Sequence, residues 1–173
     1  MRKTLTLATI FVLAATAPAL AGGKEGTIGV GAEFGLVNDL GAGAGSGVGG
    51  ASVNYDASVF HVGGFLGFRD GGGNNDTDYT FGARFYYHLH ETTMSDFGVG
   101  GMIGFFSLDD RGAAPERQTL LFFEPGVQIR AFISNNVALS FSTGISFGLV
   151  DADGASIGGQ FVAQGGIHYY FFE

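Results

Sequence analysis

The side chains best able to do chemistry in this 173-residue chain are few and widely spaced. Glu33, Arg84, Glu124, Gln128 and Arg130 are charged or strongly polar groups set among small and apolar neighbours. Two carboxylates and two guanidinium groups, if they share one compartment, make a compensated ion-pair network or the lining of a polar path. His61 and His88, with His90 just beyond, supply imidazoles, which bind zinc when two or three converge. Hydrogen bonding in an interior is the commoner use of such residues, so His61 and His88 are only weak metal candidates and no metal site is expected. Asp70 to Asp78 and Asp151-Ala152-Asp153-Gly154 carry oxygen ligands of the kind calcium takes, without the EF-hand spacing and its bidentate Glu. These read as solvated turns. No Cys is present, which excludes a disulfide framework, Cys-ligated zinc or iron–sulfur, and the lipidated Cys of a lipoprotein.

The elements that must position these groups read as β-strands, because alternation with period 2 recurs along the chain. Val137–Leu149 sets Val137, Leu139, Phe141, Ile145, Phe147 and Leu149 against Ala138, Ser140, Ser142, Gly144, Ser146 and Gly148. The same pattern covers Thr27–Val37, Val59–Arg69, Tyr79–Leu89, Asp96–Phe106, Leu120–Ile133 and a final strand, Ile157–Phe172. A weaker one, Gly49–Tyr55, brings the expected total to eight. The connections alternate too: long ones at 38–48, 70–78, 107–118 and 150–156, short ones at 56–58, 90–95 and 134–136. Eight strands with one elaborated end predict an antiparallel up-and-down barrel.

Which face meets which solvent follows from the charge. Only 14% of residues are charged, against roughly 25% for a soluble domain. The second face of each strand is mostly Gly, Ser, Gln and His, too poor in charge for the outside of a soluble barrel. The charges gather instead in connections, at Asp70, Asp76, Asp78, Asp109, Asp110, Arg111, Asp151 and Asp153. An apolar row facing lipid and a small-polar row facing the lumen explain both features. On that outward row Phe34, Phe68, Tyr79, Phe105, Phe123 and Phe147 fall near the long connections, and Phe60, Tyr87, Phe97, Tyr169 and Phe171 near the other end. Two such belts are expected at two membrane interfaces. Glu33, Arg84, Glu124, Gln128 and Arg130 all fall on the inward row as a lumen polar network, the four charges two of each sign.

Residues 1–21 read as a signal peptide cleaved after Ala21. Arg2 and Lys3 start it, Leu5 to Ala15 form its apolar core, and Ala19-Leu20-Ala21 its cleavage site. Residues 22–173 are then the barrel domain, and without Arg2 and Lys3 it holds 6 basic against 16 acidic residues. So acidic a chain is not expected to bind nucleic acid.

The chain resembles the small eight-stranded outer-membrane proteins of Gram-negative bacteria, the OmpA-barrel and OmpX-like group, over Gly22–Glu173. Its end resembles their assembly signal, carried here by Gln164, Gly166, Tyr169 and Phe171, although two more residues, Phe172 and Glu173, follow the aromatic where such chains usually stop. The resemblance implies an outer-membrane location and, as partners, the barrel-assembly machinery, periplasmic chaperones, outer-membrane lipid and lipopolysaccharide. A monomer with no cofactor is expected. Some barrels of this kind modify lipid A, which requires a nucleophile and a base together at the outer end. No His lies in or beside the long connections, so no catalytic residue and no enzyme activity are expected. The function expected is a structural or surface-interaction role rather than an open porin. The alternatives are a narrow channel for small solutes and a secreted lipocalin-like barrel binding an apolar ligand.

Overall fold

A computed structural model describes residues 25–35, 50–70, 77–109, 117–150, 155–157 and 164–171. The expected signal peptide and the loop charges Asp76, Asp110, Arg111, Asp151 and Asp153 lie outside the described residues. The strands are β1 (Thr27–Gly35), β2 (Gly50–Asp56), β3 (Phe60–Asp70), β4 (Thr77–Glu91), β5 (Ser95–Asp109), β6 (Arg117–Ser134), β7 (Val137–Val150), β8 (Ala155–Ile157) and β9 (Gln164–Phe171). Each of β1 to β7 pairs with the next in antiparallel register, and β9 closes the ring onto β1 through Ile28↔Phe171 to Gly35↔Gln164. Both β8 and β9 lie against β7 and together occupy the eighth position of the barrel. The architecture is an all-β, closed, eight-stranded antiparallel barrel, as the alternation predicts.

Several boundaries differ from the sequence reading. The single final strand Ile157–Phe172 is described as two segments, β8 and β9. The β5–β6 ladder climbs into the stretch read as connection, as far as Asp109↔Arg117. At the other end Asp56, read as part of a turn, still pairs in β2, with Thr27 and His61 as its neighbours. The turn that follows is tight: Ala57 N donates to Phe60 O at 2.8 Å, and Ser58 takes a positive φ of 70°.

The faces sort as charge and period require, and they invert those of a water-soluble protein. Among the described residues 26 large apolar side chains are exposed, including Phe34, Phe68, Tyr79, Phe123 and Phe147 of one expected aromatic belt and Tyr87, Tyr169 and Phe171 of the other, while Phe105, Phe60 and Phe97 are half-buried. The buried positions hold Glu33, Asp56, Arg84, Asp96, Glu124, Arg130 and three histidines, with only 8 buried apolar residues. An interior of that kind does not suit an apolar ligand, which removes the physical basis of the lipocalin-like alternative.

Candidate functional site in the lumen

The sequence-selected lumen residues are all buried, but they do not form one network with two charges of each sign. Asp56 and Asp96 join Glu33 and Glu124, so four carboxylates and two guanidinium groups are buried among the described residues. The contacts build two arginine centres and a Glu124–Ser146 pair.

The centre nearer the short connections is built on Arg130 of β6. Its Nη1 lies 2.7 Å from Asp56 Oδ2 of β2, and its Nη2 lies 2.6 Å from Asp96 Oδ2 of β5. Nε donates to both oxygens of Asp96, at 2.8 and 3.1 Å, and Nη1 donates to the Tyr170 hydroxyl of β9 at 3.0 Å. The guanidinium also sits 5.5 Å from the centre of the Phe132 ring, in a small apolar floor of Phe132, Ala138 and Tyr170. Arg130 is 1% exposed, and its planar fork is what allows one cation to satisfy two acids on opposite flanks.

His88 of β4 completes this centre. Its Nε2 lies 3.1 Å from Arg130 Nη2 and 2.8 Å from His61 Nδ1 of β3. Arginine only donates, so His88 Nε2 is the acceptor and the ring proton sits on Nδ1. That Nδ1–H faces the Ser58 carbonyl at 2.6 Å and Glu91 Oε1 at 2.5 Å. His61 Nδ1 then donates to the same His88 Nε2. The two imidazoles therefore converge, as their spacing predicts, but they bond to each other. His90 does not join them: a register shift between His88 and His90 turns it outward, and it is exposed.

The second centre lies farther up the barrel, around Arg84 of β4. Arg84 Nη2 pairs with Glu33 of β1, while Nε and Nη2 donate to Asn54 Oδ1 of β2 at 3.1 and 2.7 Å. His168 of β9 meets Ser52 Oγ at 2.7 Å, Glu33 Oε1 at 3.2 Å and Arg84 Nη2 at 3.5 Å, all through Nε2. Ser52, His168 and Glu33 are the residue types of a hydrolytic triad. A relay needs the serine and the acid on different ring nitrogens, and here both crowd the same one. Glu124 accepts from the Ser146 hydroxyl of β7. Gln128 is buried beside His61.

Glycine makes room for the second centre. A Cβ on Gly63 would lie 2.8 Å from Arg84 Nε and 2.9 Å from the Val53 carbonyl, and would also meet Asn54 Oδ1. One on Gly166 would lie 2.6 Å from Ser140 Oγ and 2.8 Å from His168. Within the C-terminal motif, Gln164 and Gly166 face the lumen, while Tyr169 and Phe171 face outward with their rings 5.3 Å apart.

The lumen members that the sequence reading passes over are Asp56, Asp96, Asn54, Ser52 and Tyr170. Parity alone would have placed Asp56 with Ser52 and Asn54 on the inward row of β2, and Asp96 on the inward row of β5.

The N-terminal β-barrel domain of Pseudomonas aeruginosa OprF superposes with a TM-score of 0.64, at 13% identity, over 85% of this chain and 98% of that one. The chain has the fold of the small eight-stranded outer-membrane barrels. The Yersinia pestis outer membrane protein Ail aligns over 85% of this chain and 100% of its own, at 14% identity and a TM-score of 0.46. No protein-family model and no curated protein sequence matches the chain. The barrel likeness is thus one of fold, and the two arginine centres are read from this chain's own residues.

Proposed function

We propose that this chain is an outer-membrane barrel of a Gram-negative bacterium, exported by a signal peptide over residues 1–21, with a structural or surface-interaction role and not that of an open porin. The observation that carries this reading is the inversion of its faces. A belt of exposed Phe, Leu, Ile and Val surrounds an interior whose charges are buried and paired. In water each such exposed side chain forgoes roughly 1.5–3 kcal/mol of burial, whereas in lipid it forgoes nothing. Eight strands enclose a space that side chains nearly fill, and two arginine centres at different heights lie across it. The partners that fit are outer-membrane lipid and lipopolysaccharide around a monomer. During biogenesis they are periplasmic chaperones and the barrel-assembly machinery, reading Gln164, Gly166, Tyr169 and Phe171.

Cell fractionation with gel mobility before and after boiling tests the location and the fold together. The chain should leave with the detergent-extracted envelope, and its mobility should change on boiling. Recovery in the soluble fraction would overturn the proposal. Single-channel recording in planar bilayers tests the closed lumen: steady stepwise conductance by the wild-type chain would replace the structural role with that of a narrow solute channel.

A further inference from the structure

The two histidines on neighbouring strands are not needed to neutralise Arg130, which already holds Asp56 and Asp96. They add side-chain ties across the β3–β4 ladder: His88 reaches the β2–β3 turn through Ser58, beside the bond from its own backbone N to Val59 O at 2.9 Å, and reaches β3 through His61. We propose that the His61–His88 pair is an acid-sensitive latch on the short-connection end of the lumen, closed while the rings share one hydrogen bond and released when both are protonated. The barrel fold alone is required for the latch; the membrane reading above supplies its setting.

An imidazole–imidazole bond needs one bare nitrogen, and here that nitrogen is His88 Nε2. It receives His61 Nδ1–H and an Arg130 N–H at once. A second proton on His88 leaves three donors converging with no acceptor, so uptake requires the rings to part from each other and from Arg130. Imidazole is the side chain whose charge changes between about pH 5 and 8 when it faces water, so rings freed from this arrangement take up protons in mildly acidic surroundings.

The charges around the pair set the direction. On β4 itself, Glu91 faces His88 Nδ1 from the half-exposed rim, and Tyr86 stacks on His61 with centroids 5.5 Å apart. Arg84 lies farther up the same strand, opposite Glu33 of β1. From β2 and β5 come Asp56 and Asp96, both occupied by Arg130 of β6, and from β9 the Tyr170 hydroxyl, also on Arg130. Gln128 of β6 lies beside His61, and β7 faces the lumen there with the uncharged Ala138 and Ser140. Glu91 therefore favours a charge on the Nδ1 side of His88, while the guanidinium opposes one on the Nε2 side. The opened form binds more protons than the closed form, so the closed form loses stability as pH falls.

The test uses the full chain folded in detergent micelles, with unfolding rates read by gel mobility at pH 7.5 and 5.5, above the ordinary carboxylate range of about 4. The wild type should unfold up to about a hundredfold faster at pH 5.5, as expected for two protons gained on opening. In His61→Gln the amide still donates to His88 Nε2 but takes no proton, so only His88 gains one and the rise should shrink to about tenfold. Nitrogen NMR of the imidazoles gives a reading that does not depend on a variant folding: at pH 7.5 both rings should carry their proton on Nδ1. An equal pH response in wild type and His61→Gln, or a protonated His88 Nε2 at pH 7.5, would overturn the latch. A chain with no heat-modifiable form at any pH would instead overturn the barrel reading itself.

Discussion

The two arginine centres use the same chemistry to different depth. Arg130 gathers two carboxylates, a phenol and an imidazole, drawn from β2, β5, β9 and β4, around a guanidinium on β6. Arg84 has one carboxylate and one amide as its close partners, and its Glu33 is shared with His168. Removing Arg130 would strand two acids where water does not reach, whereas removing Arg84 would strand one that keeps an imidazole 3.2 Å away. A cation that serves two acids is harder to replace than one that serves a shared acid. The short-connection end should therefore be the better-locked half of the lumen.

That ranking can be broken by mutation. Arg130→Ala should have the largest effect, about 3–5 kcal/mol, the range for removing one partner of a buried ion pair. Arg130→Lys should recover only part of it, since an ammonium cannot reproduce the fork that spans Asp56, Asp96 and Tyr170. Arg84→Ala should cost less, about 2–3 kcal/mol, as for leaving one charged acceptor incompletely partnered. Urea unfolding in micelles at pH 7.5 measures both. If Arg84→Ala proves the more damaging, the lock is in the middle of the barrel and the ranking of the two centres is reversed.

How much of this was legible in the sequence follows from what period 2 can carry. Alternation assigns a face to every residue in a strand, so the inward placement of Glu33, Arg84, Glu124, Gln128 and Arg130, and both aromatic belts, could be read directly. It does not give register, and register decides partners. Nothing in the sequence indicates that Arg130 meets Asp96 across β5–β6, or that Glu124 turns to Ser146 instead. Asp96, the first residue of its expected strand, is passed over at the strand's end, and Asp56 is masked by position. An acid beside a short connection looks like a turn residue, because Asp is favoured there for reasons unconnected with the lumen. His90, just beyond the expected strand, is paired in β4 and exposed, past an irregularity of the β4–β5 ladder that no residue type announces.

The smallest effects offer the sharpest test of the face assignment, because Gly63 and Gly64 are neighbours on one strand. Gly63 faces the lumen, where a Cβ would press on Arg84, Asn54 and the Val53 carbonyl. Gly64 faces outward, where the nearest atom to a Cβ is the Gly82 carbonyl at 3.5 Å, an ordinary contact. Gly63→Ala should destabilise by about 1–3 kcal/mol through overpacking of the Arg84 centre. Gly64→Ala should be neutral or stabilise by about 0.4–1 kcal/mol, since alanine narrows the unfolded ensemble and meets no obstacle in the folded one. Opposite signs at adjacent positions would tie Gly63 to the space its side chain vacates for Arg84. Equal losses at both would mean that β3 needs glycine for its backbone alone, and the crowding around Arg84 would no longer explain it.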